Sequence, residues 1–171
     1  GGGPDGGLDK LGNKRVAIIG TGATAIQCVP FLGEAAEHLF VFQRTPSTVD
    51  VRGNTPTDTE WASGLETGWQ KRRMENFNGL LSGVPQDKDL VDDGWTDLIE
   101  KMMHQFRNAK PGDNMDIPQM MEMANFEKME EIGARVDDYV DDPEVAEKLK
   151  PYYKMFCKRP TFNDEYLPTF N

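Results

Sequence analysis

Gly20-Thr21-Gly22-Ala23-Thr24-Ala25 is the stretch of this 171-residue chain with the clearest chemistry. It matches G-x-G-x-x-A, the pattern of a turn that holds a pyrophosphate against a helix N-terminus. Gly20 lets the chain turn tightly, Gly22 removes a side chain where phosphates would approach, and Ala25 lets the next helix pack close to the strand before it. Free N–H groups of the first helical turn would then face the anion. After the second strand stand Gln43-Arg44-Thr45. An NAD site would place an Asp or Glu there, about 20 residues past the glycines, to bind the ribose. A carboxylate would repel a 2′-phosphate, whereas a guanidinium binds it as a charge-assisted fork and a hydroxyl adds a further bond. The pattern favours NADP over NAD. The bland readings are a buried βαβ unit with no ligand and, for Arg44, a surface charge after a strand.

The elements that must position these residues are legible around them. Val16-Ala17-Ile18-Ile19 is a short apolar run suited to a strand buried on both faces, and it stops at Gly20. A helix is expected from Thr24 to about Glu37, kinked or shortened by Pro30. Leu39-Phe40-Val41-Phe42 follows as a second strand at βαβ spacing. The fold class expected is α/β: a partial Rossmann-like NADP-binding βαβ unit with a large helical insertion, predominantly helical by residue count.

Composition excludes several classes. Lys and Arg total 19 against 29 Asp and Glu, a net charge of −10, which argues against nucleic acid or an anionic membrane as a general partner. The hydrophobic fraction of 37% is low for a compact fold and points to a large solvated helical surface. Two cysteines, Cys28 and Cys157, lack metal-like spacing, so no metal site is expected. No apolar run approaches the ~20 residues of a membrane span and no signal peptide is visible, so a cytoplasmic location is expected.

The remaining chain reads as a lead, a set of helices and a return segment. Gly1–Gly7 is flexible lead. Thr45–Thr59 reads as a loop. Thr57 with Glu60 matches a capping box, so a helix starts near Asp58 and runs, broken at Gly64 and Gly68, toward Leu81. Lys71-Arg72-Arg73 within it reads as a solvated face, with a supplementary phosphate or partner contact as the sharper reading. Trp95, Leu98, Ile99, Met102, Met103 and Phe106 form a helical stripe. His104 among them, like His38, has no paired acid and reads as a packed or surface side chain. Pro111-Gly112-Asp113 breaks the chain, and a further helix runs from Ile117 to about Val140, its methionines read as core filler. Asp142-Pro143 is a cap and first-turn proline for a last short helix to Lys150, while the acids Asp137, Asp138, Asp141 and Asp142 lack Ca²⁺-loop spacing. The expected domains are a linker at 1–10, the βαβ unit at 11–54, a helical insertion at 55–150 and a return segment at 151–171.

Gly20 to Gln27, then Val41-Phe42-Gln43-Arg44-Thr45-Pro46, then Cys157-Lys158-Arg159-Pro160 and the ending Tyr166-Leu167-Pro168-Thr169-Phe170-Asn171 closely resemble the NADP domain of Baeyer–Villiger monooxygenases. These are flavoproteins that insert oxygen beside a ketone. The resemblance is strongest over Lys10–Asn54 and Lys150–Asn171. It implies that Gly20, Thr21, Gly22, Ala23, Thr24, Ala25 and Gln27 belong to the cofactor turn. It also implies that Lys158 reaches the 2′-phosphate beside Arg44 and Thr45, and that Arg159 is the active-site arginine. A fixed guanidinium would stabilise the negative charge that develops as a ketone is attacked.

No residue of this sequence is expected to bind FAD, because it shows no flavin-type glycine turn ahead of Gly20 and no counterpart of the family's Phe-, Gly- and His-bearing signature. Only two clear strands are visible, and further parallel strands would follow Asn171. The expected function is therefore the NADP(H)-binding segment of a flavin-dependent monooxygenase, inactive without its partner flavin domain. Two alternatives stay open: a stand-alone nucleotide- or partner-binding module, and a segment of another NADPH-dependent flavoprotein reductase.

Overall fold

The computed structural model describes residues 6–108 and 117–171. The expected break at Pro111-Gly112-Asp113, most of the glycine-rich lead and the side chains of Met102, His104, Phe106 and Met120 lie outside the described residues. The chain divides into two compact units, one formed by residues up to Val51 together with Glu127–Asn171, the other by Arg52–Phe126.

The first unit is mixed α/β. Strand β1 (Arg15–Ile19) leads through helix α1 (Ala23–Ala35) to β2 (His38–Phe42). The strands pair in parallel, Arg15 opposite His38 through Ile19 opposite Phe42, and Gly20 N–H adds a 2.7 Å bond to the Phe42 carbonyl. Pro30 sits buried inside α1 without ending it. Two-residue strands β3 (Val49–Asp50) and β4 (Thr161–Phe162) make a second parallel pair. The expectations of only two strands, and of loop throughout Thr45–Thr59, are thus corrected. Two-residue strands carry no hydrophobic period, and this pair is fixed by contacts between distant residues, the Thr161 N–H and hydroxyl both donating to the Thr48 carbonyl.

One core serves this unit. Ile26 and Val29 of α1 and Val49 of β3 pack with Val136, Val140, Ala146, Leu149, Tyr166 and Leu167. Helices α5 (Ile117–Tyr139, whose Glu127–Tyr139 part lies in this unit) and α6 (Pro143–Leu149) supply several of these residues. The Asp142 side chain caps α6 by accepting from Glu144 N–H and Val145 N–H, as its sequence predicts. Ile18, Leu39 and Val41 rest on the same core. The opposite strand face is open: Ile19 is 88% exposed and Phe42 56%. The expectation of a strand buried on both faces is corrected accordingly, since the core lies on one side of the pair and β1 alternates between half-buried and exposed residues.

The second unit is helical. Helices α2 (Thr59–Ser63), α3 (Trp69–Leu81) and α4 (Gly94–Asn108) follow one another. The interruption falls between Gly64 and Gly68 as expected, with Gly68 at φ +87. The cap of α2 is Asp58, whose carboxylate accepts from Glu60 N–H and Trp61 N–H. The Thr57–Glu60 capping box is corrected by one residue, because a carboxylate at Asp58 already satisfies the orphan donors.

Candidate functional site

The glycine turn joins β1 to α1. Gly20 has φ +94, a left-handed backbone that side chains rarely adopt. Gly22 differs. It is the N-cap of α1 in extended conformation, which any residue can take, yet a Cβ there would meet nothing within 4 Å. The space in front of the helix is open, and no side chain caps its first N–H groups. Ala23 and Thr24 are exposed on that first turn, Ala25 is half-buried, and Gln27 folds back to donate to the Ala23 carbonyl at 3.2 Å.

Thr21 connects the turn to the end of β2. It is only 5% exposed, and its hydroxyl donates to the Thr45 carbonyl at 3.4 Å. The Ser47 hydroxyl donates in turn to the Thr21 carbonyl. Arg44, one residue before this junction, is exposed and makes no ion pair among the described residues. Its charge is therefore not spent on a carboxylate of the described residues.

The return segment closes the constellation. Lys158, half-buried, donates from Nζ to the Thr45 carbonyl at 3.2 Å, so that carbonyl accepts from both the glycine turn and the return segment. The ammonium also lies 4.9 Å from the centre of the Tyr153 ring. The Tyr153 hydroxyl accepts from Thr48 N–H at 3.1 Å. Burial pushes the Tyr153 phenol above its ordinary value, although the contact with Thr48 pulls the other way. Phe156 has φ +67 and turns the chain just ahead of Cys157-Lys158. Arg159 is exposed and Pro160 buried. Thr21, Thr45 and Lys158 are thus brought together, whereas Arg44 and Arg159 are presented to solvent beside them in sequence.

Sequence reasoning missed Ser47, Thr48 and Tyr153, which hold the constellation. It also missed two cations of α5, one buried and one half-buried, that pair with acids far along the chain. Lys128, 6% exposed, places Nζ 2.6 Å from the Asp50 carboxylate of β3 and 3.1 Å from Glu131. Arg135 pairs with Asp164 at 3.6 Å and stacks 4.5 Å above Tyr139. No sequence signal marks any of these residues, because each matters through a partner far along the chain.

Other charged groups are occupied locally. Lys71 and Arg72 pair with Glu75 and Glu66, and Arg73 donates to the Val91 carbonyl at 3.1 Å and lies over Trp61. Asp137 pairs with Lys150 at 2.8 Å, and this hydrogen bond raises the Lys150 pKa. In the helical unit a cleft of about 500 Å³ has Leu80, Val84, Ile99 and Met103 in its lining, together with Asp87 and Asp89. Burial works against the Asp89 charge, but hydrogen bonds from Thr96, Asp92 and Val91 and the nearby Arg73 outweigh it and hold the carboxyl low. No helix among the described residues is long and apolar enough to cross a membrane.

No protein-family model matches the chain. Among curated proteins, it is 59% identical over 172 residues to neopentalenolactone D synthase of Streptomyces avermitilis, covering 100% of this chain and 29% of that protein. It is 48% identical over 174 residues to a Baeyer–Villiger monooxygenase of Streptomyces coelicolor, covering 100% of this chain and 28% of that one. Among solved structures, polycyclic ketone monooxygenase from Thermothelomyces thermophila matches at 41% identity and TM-score 0.79, over 99% of this chain and 29% of the other. An oxidized steroid monooxygenase bound to NADP matches at 28% identity and TM-score 0.65, over 98% of this chain and 33% of the other. The chain thus spans about a third or less of the length of these relatives. Over its whole length the chain is thus similar to a segment of proteins named as Baeyer–Villiger monooxygenases and related ketone monooxygenases.

Proposed function

We propose that the chain is the NADP(H)-binding segment of a flavin-dependent Baeyer–Villiger-type monooxygenase, an enzyme that converts a ketone to an ester or lactone with O2 and NADPH. The observation that carries this reading is the return of Lys158 to the carbonyl of Thr45, the residue after Arg44, a carbonyl that also accepts from Thr21 of the glycine turn. The β1-α1-β2 unit with its parallel pairing is in keeping with a Rossmann-like nucleotide half-site.

The residues present fit the nucleotide. The uncapped N-terminus of α1, kept clear by Gly22, would receive the pyrophosphate. Arg44, Thr45 and Lys158 would receive the 2′-phosphate, with Arg44 as the forked donor and Lys158 as a point charge. When bound, NADPH supplies the hydride that reduces the flavin of such an enzyme. Arg159 is the arginine that would stabilise negative charge developing at the ketone.

The test is calorimetric titration of NADP⁺ and NAD⁺ into the wild-type chain and Arg44→Glu. Exchanging a charge-assisted bond for repulsion should lower the preference for NADP⁺ by about tenfold or more. An unchanged ratio of affinities would reject the 2′-phosphate assignment.

A further inference from the structure

We infer that Tyr153 is the positioning residue that aims Lys158 at the 2′-phosphate, an inference that rests on the NADP reading above. A lysine ammonium is a point charge on a flexible four-carbon stem, and holding it at one place in a half-open site requires fixed partners. Here the partners are the Thr45 carbonyl, 3.2 Å away, and the Tyr153 ring, whose centre is 4.9 Å away. No carboxylate pairs with Lys158 among the described residues, so its charge is held in place without being neutralised. An aromatic face suits this purpose, since it attracts a cation while competing weakly with an incoming phosphate.

The same side chain fixes the other half of the site. The Tyr153 hydroxyl accepts from Thr48 N–H at 3.1 Å, which ties the return segment to the stretch that carries Arg44 and Thr45. The Thr48 carbonyl accepts in turn from Thr161, just beyond Lys158 and Arg159. One tyrosine therefore contacts both the lysine and the loop that the lysine must meet. A tyrosine serving only as a brace would lack the ring-to-ammonium contact.

The experiment titrates 2′,5′-ADP and 5′-AMP into the full chain by calorimetry, since the two probes differ in the 2′-phosphate alone. Tyr153→Leu should cut the preference for 2′,5′-ADP by about tenfold, the size of a half-buried cation–π contact, with 5′-AMP affinity nearly unchanged. Tyr153→Phe, which keeps the ring, should retain most of that preference. Should the leucine variant not fold, Tyr153→Met fills the space without a ring and makes the same comparison. Equal weakening of both probes would show a general brace and overturn the inference, as would loss in Tyr153→Phe equal to that in Tyr153→Leu. A preference lost in Lys158→Ala but intact in Tyr153→Leu would overturn it while sparing the NADP reading. Absence of any preference in the wild-type chain would remove both.

Discussion

Polar contacts in the two units differ in reach. In the α/β unit, Lys158 bonds to Thr45, Tyr153 to Thr48 and Gln43 to the Lys148 carbonyl, pairs separated by 113, 105 and 105 residues. In the helical unit, Asn76 holds Lys88 and Leu90 across 12 and 14 residues, and Arg73 reaches Val91 across 18. The first unit closes only when the end of the chain has returned to its beginning. The second is assembled from near neighbours. Long-range pairing carries a larger loop-closure cost, and the candidate site lies wholly within the part that depends on it.

The buried pair between β3 and α5 gives the strongest test of that dependence. Lys128 is nearly enclosed and its partner Asp50 has a side chain only 16% exposed, so Lys128→Ala would leave a carboxylate unpaired in a poorly solvated place. The expected cost is about 3 kcal/mol, read as a shift in a urea denaturation midpoint. Because Asp50 follows closely on Thr45 and Thr48, affinities for NADP⁺ and NAD⁺ should fall together. A normal midpoint would show that the pair is not a brace and would break the comparison at its strongest point.

A smaller effect is expected in the helical unit. Asn76 is 8% exposed, donates to the Lys88 carbonyl at 2.7 Å and to the Gln86 side chain at 3.3 Å, and accepts from Leu90 N–H at 2.9 Å. Asn76→Ala removes these bonds and leaves backbone groups of the 86–90 loop unsatisfied, a loss of about 2 kcal/mol. Nucleotide affinities should stay at their wild-type values in this variant. If they fall as they do in Lys128→Ala, the site depends on local contacts in the helical unit as well, and the contrast in reach does not decide where function resides.

The same contrast explains what could be read from the sequence. The glycine turn, the break between Gly64 and Gly68 and the Asp142 cap were legible because each is settled by residues within one or two turns of it. The Asp58 cap was displaced by one residue only, since Thr57 and Asp58 both carry an oxygen that can cap. The β3–β4 pair was illegible: Val49–Asp50 and Thr161–Phe162 are too short for a period, and Thr48 and Thr161 find each other only in the folded chain. Tyr153 and Lys128 were hidden for the same reason. The exposure of Ile19 was missed for another, because an apolar run shows that a residue could be buried but not which face of a strand is covered. The resemblance supplied Lys158 and Arg159, where adjacent charges alone say little.

The mildest test uses pH, and it separates the units by composition. All four tyrosines of the sequence lie outside Arg52–Phe126, and Tyr166 is 2% exposed in the core of the α/β unit, its ring edge-on to Phe170. Burial pushes its phenol far above the ordinary value of 10.0. The folded chain therefore keeps the proton while the unfolded chain releases it, so stability from this group is complete below pH 10 and declines as pH rises past that value. The slope is about 1.4 kcal/mol per pH unit for one proton. Tyr153, raised in the same direction, adds to the decline. Melting followed by NMR from pH 9 to pH 11.5 should show signals of the α/β unit lost first, and Tyr166→Phe should flatten the dependence. Earlier alkaline loss in the helical unit, which holds no tyrosine, would show that short-range contacts are the less robust of the two.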